Sequence, residues 1–374
     1  MPPPDPGQLL ARVNRDVERS LLRARNGIRY VRGSHRPQLG VTPKDVVWQR
    51  DKAQLWHYRS DAVTVEQPVL IVTSLVSRSY ILDLLPGSSS VEFLRDAGFD
   101  VFMIDWGVPD ELDAANTFET YVDDYIVRAV ESVRAETGAS ELTVIGYCLG
   151  GVLGLLYAAG HDTPVRNLVL LATPMDFSKM GPMVAAIEAG RLDPEELLDE
   201  TGNVSADVLY SGFFMMAPTT AVAQSATLLE NLWNDEFVRG FQAVNQWTRD
   251  QVPFPGAAFR QVVDSLVRDN VLMTGSWRLG GRTIDFTDMD AAVLNVMAAH
   301  DKVVPRAAAE PASRLVGRPD RREELIVKGG HATFGTGRSA FTHTLPKLAE
   351  WIRSHSDERS EDRRGRGDQA ATGR

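Results

Sequence analysis

The chain has 374 residues, 43% of them hydrophobic, enough for one large α/β domain with an insertion. Its formal net charge of −10 excludes an electrostatic grip on nucleic acid, which needs clustered positive charge. A single cysteine excludes an internal disulfide, no signal-peptide pattern opens the chain, and no apolar run approaches the ~20 residues that span a bilayer, so a cytoplasmic protein without a transmembrane segment is expected.

Residues 1–40 read as a leading amphipathic helix, because Leu9, Leu10, Val13, Val17, Leu21 and Leu22 fall at helical spacing between Asp5 and Gly33. Its apolar face is expected to pack on the main domain or on a partner. Val46-Val47-Trp48 and Leu55-Trp56-His57-Tyr58 point to an opening β-hairpin. Strands and helices then alternate. Val69 to Thr73 is a short strand, Ser79 to Ala97 a helix, Asp100 to Ile104 a strand and Phe118 to Glu136 a helix. Leu142 to Ile145 and Asn167 to Ala172 are further strands. Runs of Val, Leu and Ile without polar alternation mark strands buried on both faces, as a parallel sheet flanked by helices requires.

After Thr173-Pro174 the alternation stops for about a hundred residues. Residues 175–285 are rich in Met, Phe and Trp, including Phe213-Phe214-Met215-Met216, Trp233 and Trp247, and read as a mainly helical cap. Most of these aromatics serve as cap core, and a few line a channel. The sheet resumes at Ala292 to Met297 and ends with Glu324 to Val327. The expected fold is thus an α/β-hydrolase: a mostly parallel sheet built from 41–174 and 286–355, with the cap between them. Residues 356–374 hold almost no apolar side chain and are expected to be a disordered tail.

The lone cysteine, Cys148, lies in Gly146-Tyr147-Cys148-Leu149-Gly150-Gly151, between an apolar strand and the apolar stretch Val152 to Ala159. A strand ending in Gly-x-nucleophile-x-Gly and turning at once into a helix is a nucleophile elbow, with glycines where strand and helix nearly touch. A buried structural cysteine is the alternative, since Cys is among the most buried residue types. In the elbow, the partial positive charge of the helix N-terminus would help to stabilise a thiolate. Asp301 and His331 each follow a strand end, in the order nucleophile, acid, histidine that α/β-hydrolases use. His331 is expected to take the proton from Cys148. Asp301 orients His331 or, if not hydrogen-bonded to it, polarises an incoming hydroxyl; the alternative is a loop aspartate capping the helix after Pro305. The oxyanion donors are expected to be the backbone N–H of Leu149 and that of Val76 or Ser77, in the loop after the Val69 strand. A thiol nucleophile suits thioester exchange, because acyl-cysteine and acyl-CoA are close in energy. No phosphate loop or metal site is evident; Arg239, Arg249 and Arg260 are cationic residues of the insertion without a stated role.

The segment from Pro68 through Ser77, Arg78, Tyr80-Ile-Leu-Asp83 and Leu84 resembles the strand and loop of polyhydroxyalkanoate (PHA) synthases. Phe102 to Trp106, the elbow, Ala172-Thr-Pro174, Val252-Pro-Phe-Pro-Gly256 and Asp301 to Pro305 continue the likeness in order, over about residues 40–345. It is similar to the short class III catalytic subunits. The resemblance implies a polymerase that loads (R)-3-hydroxyacyl groups from CoA onto Cys148 and extends a polyester, with His331 as base and Asp301 as the carboxylate that activates the 3-hydroxyl. It further implies no cofactor beyond the CoA thioester substrate, an accessory subunit, a homodimer and a place at the polyester granule surface. Ser77 stands where Asn is common, and Ala332-Thr333-Phe334-Gly335 and Gly107-Val108 depart from the family pattern. Two other readings stay open. Dienelactone hydrolases share the Gly-Tyr-Cys-Leu-Gly-Gly box, so a cysteine hydrolase, thioesterase or depolymerase is one, and a non-catalytic granule-associated paralogue is the other.

Overall fold

The computed structural model describes residues 6–32, 37–162, 165–216 and 220–356. Its centre is an eight-stranded sheet of β1 (Asp45–Arg50), β2 (Ala53–Tyr58), β3 (Val69–Val72), β4 (Val101–Asp105), β5 (Leu142–Tyr147), β6 (Val165–Leu171), β7 (Ala292–Ala298) and β8 (Arg322–Val327). The spatial order is β1-β2-β4-β3-β5-β6-β7-β8. β1 and β2 pair antiparallel, β2 meets β4 antiparallel, and every later pairing is parallel.

Sequence dictates which strands lie deepest. Every residue of β3, β5, β6 and β7 is buried, whereas β1, with the polar ends of Asp45–Arg50, is half-exposed on the sheet edge. Helices cover the faces: α2 (Ser90–Asp96), α3 (Val127–Thr137), continuing a wider-wound helix over Thr120–Ile126, and α4 (Leu149–Gly160). α4 is buried from Leu149 through Tyr157, so it lacks a polar face and sits in the middle of the molecule.

The helix expected over Ser79 to Ala97 does not form as one piece. A short 3-10 turn at Ser79–Leu82 is followed by the paired segments Asp83–Leu85 and Ser88–Ser89, and only then by α2. Pro86 has no N–H to donate and Gly87 sits at φ 72°, which together stop a helix there. Ser89 restarts it by accepting from Glu92 N at 3.0 Å. The buried Asp83 carboxylate gathers Thr42 and Ser89 Oγ (2.8 Å), fixing the segment.

α1 (Pro6–Val31) packs with its C-terminal half against the end of the insertion's helices. Asn26 is buried and donates Nδ2 to Leu232 O at 2.8 Å, and the Arg19 guanidinium lies 4.6 Å above the Trp233 ring. Between β6 and β7 come α5 (Pro182–Glu188), α6 (Ala206–Met216), α7 (Thr220–Asn231) and α8 (Asp235–Arg249). Two small antiparallel pairs, Asn203–Val204 with Phe254–Pro255 and Ser276–Leu279 with Arg282–Asp285, accompany them. Beyond α8 the chain returns to the sheet layer: Ala257 N donates to Ala114 O at 2.9 Å, and Trp277 packs on Phe118 with ring centroids 5.1 Å apart. From residue 357 on, the tail reading lies outside the described residues.

Candidate active site

The elbow forms because three glycines let backbone meet backbone. A Cβ on Gly146 would strike the Gly151 Cα, one on Gly150 the carbonyl oxygens of Val72 and Thr73, and one on Gly151 the Thr173 hydroxyl. Cys148 itself sits at φ 55°, ψ −124°, a conformation that costs a side-chain-bearing residue about 1–3 kcal/mol and persists only when its surroundings enforce it. Those surroundings are visible: Cys148 N donates to Leu171 O at 2.9 Å, continuing the β5–β6 ladder through the turn. The thiol is left at the first turn of α4, where Leu149 is the first helical residue and its N–H has no acceptor one turn back.

β7 and β8 deliver the other two groups. Asp301 follows β7 and divides its carboxylate: Oδ1 accepts from Val303 N (2.8 Å) and Val304 N (2.9 Å), and Oδ2 accepts from His331 Nδ1 at 2.8 Å. It thus binds the histidine and closes the turn at Val303 and Val304, but it does not cap the helix after Pro305, which starts at Arg306 without a side-chain cap. Its side chain is 1% exposed and does not line the cavity described below. His331 opens a short turn after β8. Burial works against its charged form, but the charge and hydrogen bond of Asp301, with Cys148 adding to them, outweigh burial and lift its pKa from 6.5 to about 10. A ring with its pKa raised in this way favours the imidazolium form.

Tyr147, the variable position inside the elbow box, escaped the sequence reading. It is fully buried, its phenol held neutral by burial and by the neighbouring Cys148 and Asp301, and it donates to His331 O at 3.1 Å. The elbow strand thereby ties down the histidine turn. Nothing in sequence reports a bond spanning 184 positions.

Cys148 and His331 open into a cavity of about 560 Å³. Val76 and Ser77 line it, as does Ser74. Its outer wall comes from the insertion and from α1: Tyr30, Phe213, Leu228, Phe241, Val244 and Trp247. Trp247 and Tyr30 carry no motif, and only their place in the fold reveals them. The end of α8 is fastened to the loop after β3, because Trp247 Nε1 donates to Arg78 O (2.8 Å), the Tyr80 hydroxyl to Asp250 Oδ2 (3.0 Å), and Ser77 bridges Gln251 antiparallel. Of the insertion's arginines, Arg249 lines the cavity, Arg239 does not, and Arg260 is engaged with Glu195 at 2.7 and 2.8 Å.

Comparison with known proteins places this geometry. The alpha/beta hydrolase fold family matches residues 67–337, and the family described as the poly-beta-hydroxybutyrate polymerase (PhaC) N-terminus matches residues 21–94. The chain is 33% identical over 317 residues to the poly(3-hydroxyalkanoate) polymerase subunit PhaC of Allochromatium vinosum, covering 84% of this chain and 89% of that protein. The chain belongs to the poly(3-hydroxyalkanoate) polymerase family. A second member, subunit PhaC of Haloarcula marismortui, is 32% identical over 328 residues, covering 85% of this chain and 69% of that protein. Among solved structures, a thermophilic esterase from Thermogutta terrifontis shares the fold at 14% identity and TM-score 0.50, covering 84% of this chain and 99% of that one. For this family, then, the α/β-hydrolase architecture anticipated from alternating strands and helices is the observed one.

Proposed function

We propose that the protein transfers (R)-3-hydroxyacyl groups from CoA thioesters onto Cys148 and from there onto a growing polyester, with Cys148, His331 and Asp301 as a catalytic triad. The observation that carries this reading is the thiol of a strained elbow sharing one cavity with a histidine bonded to a buried carboxylate, in a chain of this family. His331 takes the thiol proton, the sulfur attacks the thioester carbonyl, and the oxyanion is met by the N–H of Leu149 and that of Val76 or Ser77. The tetrahedral species collapses with loss of the CoA thiolate, which receives the proton from His331. In elongation His331 removes the proton of a hydroxyl, whose oxygen attacks the acyl-cysteine carbonyl and expels the Cys148 sulfur. Asp301 orients His331 and supports its positive charge; being bonded to Nδ1 and shut away from the cavity, it acts through the ring, not on the hydroxyl.

The relatives are named as subunits, which supports an accessory partner. Homodimerisation, a cytoplasmic site at the polyester granule and a requirement for no cofactor belong to the same proposal. Among the described residues no helix is long and apolar enough to cross a membrane. The test is incubation with (R)-3-hydroxybutyryl-CoA, following CoA release beside polymer, with and without an accessory subunit. Polymer with stoichiometric CoA is expected. CoA and free hydroxy acid without polymer would establish a hydrolase instead, and no CoA release a scaffold.

A further inference from the structure

Two glycines precede His331, Gly329 at φ 122° and Gly330, so neither of the residues before the histidine has a side chain with which to hold its turn. The holding contacts come from elsewhere. His300 N donates to Gly329 O at 2.9 Å, Ser90 Oγ to Phe334 O at 2.7 Å, and the Tyr147 hydroxyl to the carbonyl of His331 itself at 3.1 Å. Tyr147 also packs its ring against the imidazole, with centroids 5.1 Å apart and planes inclined by 34°, and against Phe334 at 6.3 Å. Asp301 binds Nδ1 at 2.8 Å, which fixes the tautomer and leaves Nε2 for the thiol, but one hydrogen bond to one ring nitrogen leaves the ring free to pivot about it. A contact on the ring and a bond to its backbone remove that freedom. Burial, with the charges of Cys148 and Asp301 adding to it, keeps the phenol protonated and therefore a donor. Because Tyr147 is the chain neighbour of Cys148, one element carries both the proposed nucleophile and the clamp on its base.

We propose that Tyr147 is a positioning residue, which holds the His331 ring in the plane from which Nε2 reaches the Cys148 sulfur, a role that rests on the acyl-transfer function proposed above. In acylation the ring receives the thiol proton and hands it to the departing CoA thiolate. In elongation it takes the proton of the attacking hydroxyl and returns it to the Cys148 sulfur. Each half-reaction thus uses the same nitrogen twice, and a ring displaced by about 1 Å loses on the order of 10²-fold in rate. Asp301 supplies charge as well as orientation, whereas the neutral Tyr147 supplies geometry alone.

Tyr147→Phe tests this, because it keeps the ring against His331 and Phe334 and removes only the hydroxyl. The charged and titratable groups around the pair, Asp301 behind it and His300, Lys302, Arg249, Tyr30 and Tyr210 along the cavity, are the same in both proteins. Two rates are measured in the full chain by intact-protein mass: single-turnover acylation from 3-hydroxybutyryl-CoA, and alkylation by iodoacetamide, which maps to Cys148 because the chain has no other cysteine. Alkylation needs the thiolate but no substrate. The thiol is buried, so a fold merely loosened around the elbow would expose it and alkylate faster, whereas a misplaced base leaves it protonated and alkylates more slowly. In the variant, alkylation at pH 7 and the saturating acylation rate are each expected to fall about tenfold, with the half-saturating thioester concentration within about twofold of wild type. The alkylation deficit should close as pH rises through about 10, where His331 gives up its proton in the wild type too. Alkylation that is unchanged or faster at pH 7 would overturn the proposal and leave Tyr147 a packing residue, and so would a deficit of the same size above pH 10. A wild type that alkylates but is not acylated would overturn the acyl-transfer function, while the alkylation comparison would still decide the role of Tyr147.

Discussion

The catalytic edge of the sheet and the helices that overhang it are held by different means. At the edge, β3, β5, β6 and β7 are buried throughout, the elbow glycines leave no room for a Cβ, and Cys148 is kept at a positive φ by its neighbours. In the overhang, α6 has a single buried residue, Gly212, and Phe214 and Met215 are 49% and 62% exposed. α8 contributes only Val238, Ala243 and Trp247 to the interior. Reactive groups need sub-ångström placement and receive it from an over-determined frame, while the cavity wall stands on a few anchors and can adjust to what it encloses.

The sharpest way to break this comparison is at Cys148, the proposed nucleophile. Cys148→Ala is expected to abolish acylation and polymerisation together, a loss on the order of 10⁶-fold, with no acyl adduct by intact mass. Retained turnover would move the chemistry away from the elbow altogether.

Asp301→Asn comes next. Because Asp301 meets His331 Nδ1 and does not line the cavity, acylation and elongation should fall by the same factor, about 10⁴-fold, in rapid-quench measurements of each step. A larger loss in elongation than in acylation would restore the direct hydroxyl-activating role that the family resemblance implies. The same variant reports on charge. His331 has its pKa raised from 6.5 to about 10, so the stabilisation it gains from Asp301 is complete below pH 6.5 and is lost as pH rises through about 10. The difference in Tm between wild type and Asp301→Asn should therefore shrink between pH 6.5 and 10 in calorimetry; a constant difference would mean that His331 is already neutral at pH 6.5.

Gly150→Ala probes the frame without touching a reactive group. Its Cβ would meet the carbonyl oxygens of Val72 and Thr73, both backbone, which no rotamer change relieves. A loss of more than about 3 kcal/mol in denaturant unfolding is expected, and a value under 1 kcal/mol would show that the edge yields as easily as the overhang.

The same contrast governs what sequence could disclose. The elbow was legible because its chemistry is local: six consecutive residues state the turn, the thiol and the helix start. Asp301 and His331 were legible through strand ends and chain order, but the division of the Asp301 carboxylate between a turn and a histidine was not, since it depends on how β7 and β8 lie side by side. Ser79 to Ala97 misled because its apolar residues suit a helix, while Pro86, Gly87 and the buried Asp83 impose a broken path. The cavity wall was least legible. In Tyr30, Phe213 and Trp247 the apolar side chain looks the same whether it faces interior or ligand.

The smallest effect expected, and the one that measures the anchoring of the overhang directly, is that of Trp247→Phe. The indole fills space between α8 and the loop after β3 and donates Nε1 to Arg78 O at 2.8 Å. Phenylalanine keeps most of the apolar contact and leaves the Arg78 carbonyl without this donor, so the global loss should be about 1 kcal/mol by chemical denaturation. That loop also carries Val76 and Ser77, candidates for the second oxyanion donor. If α8 steadies the loop, the loss should appear in the acylation rate as well, about fivefold, with the KM for the thioester moving less. A change in KM alone would mean that Trp247 is only a wall of the cavity, and that the catalytic edge holds its own loop without help from above.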